Sequence, residues 1–339
     1  MPRARSVPRP RPAPASGPAA PGGRKAESDK GSAVDFAALP TEAVNPRSHL
    51  LDTLPADEVA RLLIDEESNT LKAVRGASDD IAAAARLVAQ RLTEGGRVIY
   101  VGAGTSGRLG TLDAAECVPT FGIPASKLVA IIAGGPNALT NAIEGAEDNV
   151  REAEQRMRRA AVGPKDCVLC IAASGVTPFV RAALAYAHFR EASTVFITCR
   201  KLPPPPPGEH YADVVIELPT GPEVIAGSTR LKAGTATKIT LNTISTTANV
   251  LLGKTYAGLM VDVRSTSNEK LKARARRIVC MLSGLDDKGA RALLEKAGGR
   301  AKVALVMHHA KLSAARATEL LIERRGSLRA IVGDIELGE

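Results

Sequence analysis

Five short apolar segments alternate with helical segments, and this alternation constrains the fold more than any other feature of the chain. The segments are centred near residues 99, 130, 170, 196 and 216, and none shows the regular polar alternation of a strand with one wet face. Continuous apolar strands between helices are typical of a parallel sheet that is covered on both faces. Because crossovers between parallel strands are right-handed, we predict an α/β domain with a doubly wound, five-stranded parallel sheet whose ligands bind beyond the carboxyl ends of the strands.

The rest of the chain divides into a tail and a helical end. Residues 1–34 consist mainly of Pro, Ala, Arg, Gly and Ser, a composition that predicts disorder because it buries too little apolar surface. We assign residues 35–283 to the α/β domain. Three or four short helical patterns predict a small all-α module over residues 284–339. The five prolines at Pro203–Pro207 predict a stiff surface loop between the fourth and fifth strands.

Charge and cysteine content restrict the possible partners. Much of the formal charge of +9 lies in the tail and in the run Lys270–Arg277, and neither stretch carries the stacking aromatics of single-strand binders, so we expect no nucleic-acid partner. Five widely spaced cysteines fit a reducing cytoplasm. Cys167 and Cys170 form a C-x-x-C pattern, but strand periodicity points them to opposite faces, which predicts two buried thiols rather than a redox pair. We expect no metal, because the histidines are scattered, and no membrane span.

Two glycine-hydroxyl loops follow predicted strands. The first strand runs into Gly102-Ala-Gly-Thr-Ser-Gly-Arg-Leu-Gly110, and the third into Ala172-Ala-Ser-Gly-Val-Thr177. Glycine allows close approach of a ligand, while hydroxyls and free helix amides bind anions. The first loop also satisfies the G-x-G-x-x-G spacing of dinucleotide domains, but two hydroxyl loops favour a phosphorylated sugar. The predicted phosphate-binding residues are Thr105, Ser106, Gly107, Ser174, Gly175 and Thr177.

This pair of loops resembles the sugar isomerase (SIS) domain, a flavodoxin-like fold in which the second loop, usually S-x-S-G-x-T, holds the sugar phosphate. Ala172 stands where that pattern has its first serine. From about residue 40 to the C-terminus the chain resembles, more narrowly, the N-acetylmuramic acid 6-phosphate etherases, and its final helices resemble their ubiquitin-associated-like tail. The stretches that carry this resemblance are 41–46, 102–117, 132–135, 144–148, 221–223, 227–238 and 268–270.

The resemblance implies a lyase that cleaves the lactyl ether of N-acetylmuramic acid 6-phosphate to N-acetylglucosamine 6-phosphate and D-lactate. In the open-chain aldehyde the C2 proton is acidified, so a carboxylate base removes it while an acid protonates the departing ether oxygen. Water then adds to the unsaturated aldehyde. This chemistry needs no cofactor, and it needs two carboxyl groups.

By the family motif, Glu116 corresponds to the proton donor and Glu147 to the second catalytic residue, our candidate base. An acid near neutral pH needs a raised pKa, and we expect burial among Ala114, Ala115, Cys117 and Val118 to raise that of Glu116. Glu144, three residues before Glu147, is expected to share a helical face with it, and either binds substrate hydroxyls or is itself the base.

Further candidates follow the fifth strand. Glu223 resembles a sugar-binding glutamate of related regulatory proteins, with a plain loop charge as the alternative. Ser228 begins a hydroxyl- and cation-rich segment that suits an anionic substrate, although its lysines equally fit a solvated helix surface. Arg108 either counters the lactyl carboxylate or supports its loop.

Two other functions remain open at the level of the sequence. SIS domains also isomerise aldose and ketose phosphates, and related glucokinase regulatory proteins sense sugar phosphates without catalysis. The apolar stretch after Ser228 and the two helices before the first strand predict more apolar surface than one domain covers. We therefore expect a homodimer, in agreement with the family.

Overall fold

A parallel sheet of five strands forms the centre of the computed structural model, which describes residues 35–205, 207, 211–263 and 269–335. The strands are β1 (Val98–Gly102), β2 (Leu128–Ile132), β3 (Cys167–Ile171), β4 (Ser193–Thr198) and β5 (Val214–Glu217). Their spatial order is β2-β1-β3-β4-β5, and every neighbouring pair is parallel. The predicted fold is confirmed, and the chain reverses its winding direction between β1 and β3, where ligands of such sheets bind.

Both faces of the sheet are covered by helices. One face packs against α1 (Ala56–Gly76), α2 (Ser78–Thr93), α3 (Gly104–Phe121) and α6 (Lys232–Leu251). The other face packs against α4 (Val150–Arg159) and α5 (Pro178–Phe189). This double coverage explains why β1, β3 and β4 are buried at every residue.

The cysteines of β3 show the alternation of a strand directly. Cys167 lies in the core on the α2 and α6 face, whereas Cys170 lies in the core on the α4 and α5 face. Both thiols are free and fully buried, and burial raises the pKa of Cys167 to about 12 and that of Cys170 further. The prediction of two buried thiols on opposite faces is confirmed.

The C-terminal part of the chain builds a second core. A short hairpin, β6 (Thr255–Tyr256) with β7 (Leu259–Met260), precedes α7 (Glu269–Ser283), α8 (Asp287–Lys296), α9 (Ala301–Ala310), α10 (Ala314–Glu323) and α11 (Arg329–Val332). Tyr256 and Val261 share this core with Val279 and Leu305. The boundary after residue 283 stays a prediction, and the core contains residues on both sides of it.

Tyr256 fastens the end of the described chain to the hairpin. Its hydroxyl donates a hydrogen bond to the Gly333 carbonyl over 2.8 Å and accepts one from the Ile335 amide over 2.7 Å. The guanidinium of Arg329 lies over the same ring, 4.7 Å from its centre. The last helix is thereby held against the hairpin.

The predicted disordered tail, residues 1–34, lies outside the described residues, as does part of the segment after Pro205. Lys201 to Pro205 have no regular secondary structure and connect β4 towards β5. Within the part of the chain that the structure describes, no helix combines the length and apolarity needed to cross a membrane.

Candidate active site

The first glycine-hydroxyl loop is the start of a helix. β1 ends at Gly102 and α3 begins two residues later, with Ala103 at the N-cap making no side-chain bond to the helix. A methyl group at Gly107 would lie 2.6 Å from the Ile132 side chain and 2.7 Å from the Gly102 carbonyl oxygen, so only glycine permits this close passage. Thr105 and Ser106 lie half-buried in the first turn of α3, beside backbone amides that are free to bind an anion.

The second loop has the same position one strand away. It follows β3, the neighbour of β1, and leads into α5, whose N-cap residue Thr177 makes no side-chain bond to the helix. Gly175 has a φ of +74°, and its amide donates to the Ala172 carbonyl over 2.8 Å. Because parallel strands end at the same edge, the structure brings the two loops together at the point where the winding reverses.

A cation that the sequence interpretation missed lies beside the second loop. A methyl group at Gly175 would lie 3.3 Å from Nε of Arg200, which follows β4. That Nε is buried and has no hydrogen-bond partner among the described residues. A buried, unpartnered guanidinium nitrogen beside Gly175 adds positive charge to a loop that already offers the hydroxyls of Ser174 and Thr177 to an anion.

The N-terminus of α6 completes this edge of the sheet. Gly234 in its first turn lies so close to Thr105 that an added methyl group would be 3.5 Å from the threonine methyl. Ser228 precedes the helix in a tight turn, in which its amide donates to the Ile225 carbonyl. The start of α6 thus lies beside the first hydroxyl loop, beyond the carboxyl end of β1.

Glu223 is a buried helix cap. Its two carboxylate oxygens accept hydrogen bonds from the amides of Lys232 and Ala233, over 3.0 and 2.9 Å, and the residue is 1% exposed. Burial raises the pKa of this carboxyl, although the two helix amides act in the opposite direction. The alternative of a plain loop charge is wrong, because the side chain is enclosed and bonded to α6.

Below this cap lies a buried ion pair. Nζ of Lys232 is 2.6 Å from Oε2 of Glu66 on α1, and their side chains are 2% and 4% exposed. Asn45 and Arg47 donate further hydrogen bonds to the same carboxylate, over 2.8 and 3.0 Å. Burial raises the pKa of Glu66, but bonding to Lys232, Asn45 and Arg47 outweighs it and leaves the pKa lowered. Lys232 is therefore not a solvated helix lysine.

This ion pair forms one wall of a cavity of about 550 Å³ beyond the carboxyl end of β5. Lys72, Lys201 and Thr220 also line it. The sequence interpretation did not single out Glu66 or Asn45 as site residues. The available signal was Asn45, which belongs to the stretch 41–46 of the resemblance, while Glu66 lies in an ordinary amphipathic pattern.

Glu116 lies on α3, the helix that begins with the first loop. The buried stripe of α3 comprises Gly110, Asp113, Ala114, Cys117 and Phe121, and Glu116 falls outside it, so the residue is exposed. The expected burial of this carboxyl is wrong, because helical periodicity turns it away from the sheet. Twelve residues separate Glu116 from the start of α3, which corresponds to about 18 Å along the helix axis.

Glu147 lies in a short 3-10 turn, Ala146–Asp148, after β2, and it is exposed. Glu144 is also exposed, but Gly145 between them adopts a left-handed conformation with a φ of 68°. The two glutamates therefore do not share a helical face, contrary to the expectation from their spacing. The structure also does not bring Glu116 to the first hydroxyl loop of its own chain.

Arg108 supports the loop after β2. Its Nε donates to the carbonyls of Ala138 and Leu139, over 3.0 and 3.1 Å, and its Nη2 donates to that of Asn141 over 2.9 Å. Of the two roles considered for Arg108, the structure shows the supporting one. The segment that carries Glu147 is thereby tied to α3.

Comparison with known proteins identifies the family. Residues 80–188 match the glucokinase regulatory protein N-terminal SIS domain. An N-acetylmuramic acid 6-phosphate etherase from Mycolicibacterium smegmatis is 45% identical over 300 residues, which cover 88% of this chain and 99% of that protein. This chain belongs to the N-acetylmuramic acid 6-phosphate etherase family.

A second member of the etherase family, from Gloeobacter violaceus, is 50% identical over 270 residues, or 80% of this chain and 87% of that protein. Among solved structures, a phosphoheptose isomerase from Francisella tularensis aligns with 57% of this chain and 97% of its own, at 18% identity and a TM-score of 0.45. The predicted resemblance to the etherases is confirmed by the two etherases from Mycolicibacterium smegmatis and Gloeobacter violaceus.

Proposed function

We propose that this protein is a lyase that cleaves the D-lactyl ether of N-acetylmuramic acid 6-phosphate with water, giving N-acetylglucosamine 6-phosphate and D-lactate. In the cell this reaction would recycle amino sugars of the cell wall. The observation that carries the proposal is the 45% identity to a protein named as this etherase, which extends over 99% of that protein.

The phosphate of the substrate is assigned to the two hydroxyl loops. Thr105, Ser106 and Gly107 belong to the first turn of α3, and Ser174, Gly175 and Thr177 belong to the loop before α5. Oxyanions bind at helix N-termini through free amides and hydroxyls, and the buried guanidinium nitrogen of Arg200 adds a positive charge there. Ser228 and the Glu223-capped start of α6 are assigned to the sugar.

The chemistry is an elimination followed by a hydration. After the sugar ring opens, Glu147 takes the C2 proton, the bond between C3 and the ether oxygen breaks, and Glu116 gives a proton to that oxygen as lactate departs. A double bond forms between C2 and C3. Water then adds across this double bond. Its oxygen, with one hydrogen, bonds to C3, its other proton goes to a carboxylate, and C2 takes up a proton.

A homodimer is part of this proposal. The exposed carboxyl of Glu116 lies about 18 Å along α3 from the first loop of its own chain, a distance of three helical turns, so it is better suited to the phosphate loops of a second copy. Exposed apolar side chains flank both catalytic candidates, as expected of a surface that is covered in a dimer. They are Leu112, Leu139, Ile143 and Val150.

The cytoplasm is the proposed location. All five cysteines are free, and four of them are buried, which fits a reducing compartment. The proposed substrate is phosphorylated, and enzymes that handle phosphorylated sugars encounter them inside the cell.

The test is incubation with N-acetylmuramic acid 6-phosphate in water enriched in ¹⁸O, with D-lactate and the sugar product followed by mass spectrometry. Elimination and hydration put the label on the sugar and leave lactate unlabelled. Glu116→Gln should lower the rate at least about 100-fold, since general acid–base groups contribute that much or more. Glu154→Gln, at an exposed glutamate of α4, is the matched control and should leave the rate unchanged.

Other outcomes would replace the proposal. Conversion of a phosphorylated aldose to a ketose without lactate would identify an isomerase. Tight binding of the sugar phosphate without turnover would identify a regulator. Undiminished lactate release by Glu116→Gln would remove this residue from the mechanism.

The dimer has a separate test by sedimentation. Leu112→Glu puts a charge into the apolar patch one turn before Glu116 and should yield monomers with little activity. Phe189→Glu, at a side chain that is 79% exposed on the C-terminal end of α5, should leave both the dimer and the activity intact. A wild-type chain that sediments as a monomer would contradict this part of the proposal.

A further inference from the structure

A second charged cavity lies at the opposite end of α3 from the phosphate loops. Its volume is about 340 Å³, and it is lined by Gly122 at the C-cap of α3, by residues 261–263 after the hairpin, by the start of α9 and by the end of α10. Because α3 has 18 residues, about 27 Å of helix separates this cavity from the first phosphate loop. The two sites are therefore distinct.

Positive charge dominates the lining of this cavity. Four cationic residues, Lys254, Arg300, Lys302 and Arg325, face one acidic residue, Asp262. The Asp262 carboxylate is shared, with Oδ2 2.8 Å from Lys254 Nζ and Oδ1 2.9 Å from Lys302 Nζ. Four cations and one carboxylate leave a formal charge of +3, and the two lysines already occupy both carboxylate oxygens.

The two arginines lie at the exposed rim, and within the described residues neither is paired with a carboxylate. Nε of Arg300 donates to the Ala297 carbonyl over 3.3 Å, and Arg325 is exposed after α10. Their guanidinium groups lack the anionic partner that arginines in a cavity usually have. Two guanidinium groups that have no carboxylate partner among the described residues are suited to bind oxygen atoms of a ligand at the rim of this cavity.

A helix start adds to this positive field. Arg300 is the N-cap of the ten-residue helix α9 and makes no side-chain bond to it, so the amides of the first turn lack a side-chain acceptor. Ala301, Lys302 and Val303 of that turn line the cavity. Uncapped amides and the helix dipole both favour an anion at this position.

We propose that this cavity is a second anion site, which binds a phosphorylated small molecule through Arg300, Arg325 and the first turn of α9. A phosphate group offers several acceptor oxygens to two guanidiniums and to helix amides at once. The volume lies at the small end of the range for ligand pockets and suits a short ester. Val261, Val303 and Leu321 provide apolar walls for its carbon part.

The buried lysine agrees with this assignment. Lys302 is 6% exposed, and burial lowers its pKa although Asp262 opposes the effect. A bound dianion would act in the same direction as Asp262 and raise this pKa, because an opposite charge favours the ionised form.

The test is hydrogen exchange of the full chain followed by mass spectrometry, with inorganic phosphate added at matched ionic strength. Phosphate should slow exchange in peptides that cover residues 298–305 and 318–327. In the double variant Arg300→Gln/Arg325→Gln, the phosphate concentration that gives half-maximal protection should rise about tenfold. Since both side chains are exposed, the double variant should keep the unfolding transition of the wild type.

Arg324→Gln is the matched control. It removes the same charge from an exposed arginine one residue away that does not line the cavity, and it should leave the protection unchanged. A wild type without protection in these peptides, or an equal loss in Arg324→Gln, would overturn the proposal. Glycerol 3-phosphate should protect more strongly than phosphate, and equal or weaker protection would overturn the assignment to a phosphate ester.

The same measurement separates this site from the proposed active site. Peptides that cover residues 104–110 and 172–178 report on the hydroxyl loops. Thr177→Ala should weaken the protection by phosphate in these peptides and in no others. Protection of residues 298–305 is expected to persist in that variant. The two proposals can thus fail independently of each other.

Discussion

Replacing Lys232 with methionine should destabilise the protein by about 3 kcal/mol. The side chain is 2% exposed, and its ammonium is 2.6 Å from the equally buried carboxylate of Glu66. Removing one partner of a buried pair costs about 3–5 kcal/mol, because the other charge is left uncompensated. We expect the lower end of that range, since Glu66 keeps hydrogen bonds from Asn45 and Arg47.

The assay is urea denaturation followed by circular dichroism, at about pH 7 and about pH 5. In the wild type the pKa of Glu66 is lowered, so its stabilisation is constant over this range and is lost only below the unfolded value of 4.5. In Lys232→Met the ammonium that lowers this pKa is gone and burial raises it. The variant should therefore regain stability as the pH falls from 7 to 5.

Two further variants sharpen this prediction. Lys72→Met makes the same change at an exposed lysine of the same cavity and should alter stability by less than about 0.5 kcal/mol. Adding Glu66→Gln to Lys232→Met should recover at least about 1 kcal/mol, because the buried charge is then absent. A loss below about 1 kcal/mol in Lys232→Met, or an equal loss in Lys72→Met, would refute the reasoning.

Three other predictions concern the same edge of the sheet. Gly107→Ala should cost at least about 1–3 kcal/mol in urea denaturation, because the new methyl group meets Ile132 and a backbone carbonyl; Gly163→Ala, where nothing lies within 4 Å, should not. Glu223→Gln should cost about 1–3 kcal/mol in thermal unfolding, since one amide of α6 then faces an NH₂ group; an unchanged midpoint would show that the cap is dispensable. Glu66→Gln should reduce the loss of stability below about pH 4.5. Because the pKa of Glu66 is lowered in the folded protein, this carboxyl takes up a proton when the protein unfolds in acid, and the variant lacks that carboxyl; an unchanged dependence of the unfolding free energy on pH would contradict this.

The sheet could be predicted from the sequence because its signal is local. Each strand contains a continuous apolar run, and for Leu128–Ile132 the structure begins and ends the strand at the same residues as the run. Cys167 and Cys170 were assigned to opposite faces from strand periodicity alone, as observed. The alternation of such runs with helices leaves few topologies, and the right-handed crossover rule selects among them.

The surroundings of the functional side chains were less predictable because they depend on contacts between distant segments. Lys232 and Glu66 are 166 residues apart, and each alone fits the exposed face of a helix. The neighbours of Glu116 in sequence are partly apolar, yet α3 points this residue to the exterior, where only a partner could bury it. Local composition therefore gave the wrong burial for Glu116.

The hydrogen bonds of Tyr256 to Gly333 and Ile335 bear on the order of events during synthesis. The hairpin tyrosine leaves the ribosome at least 77 residues before the backbone groups that bond its hydroxyl. The parallel sheet, whose last strand ends at Glu217, is complete in the nascent chain well before that point. Since domains fold as units during vectorial synthesis, the α/β region is expected to fold before residues 333–335 emerge, and a nascent chain stalled before Gly333 would display the paired hairpin without its bonds to the C-terminal end.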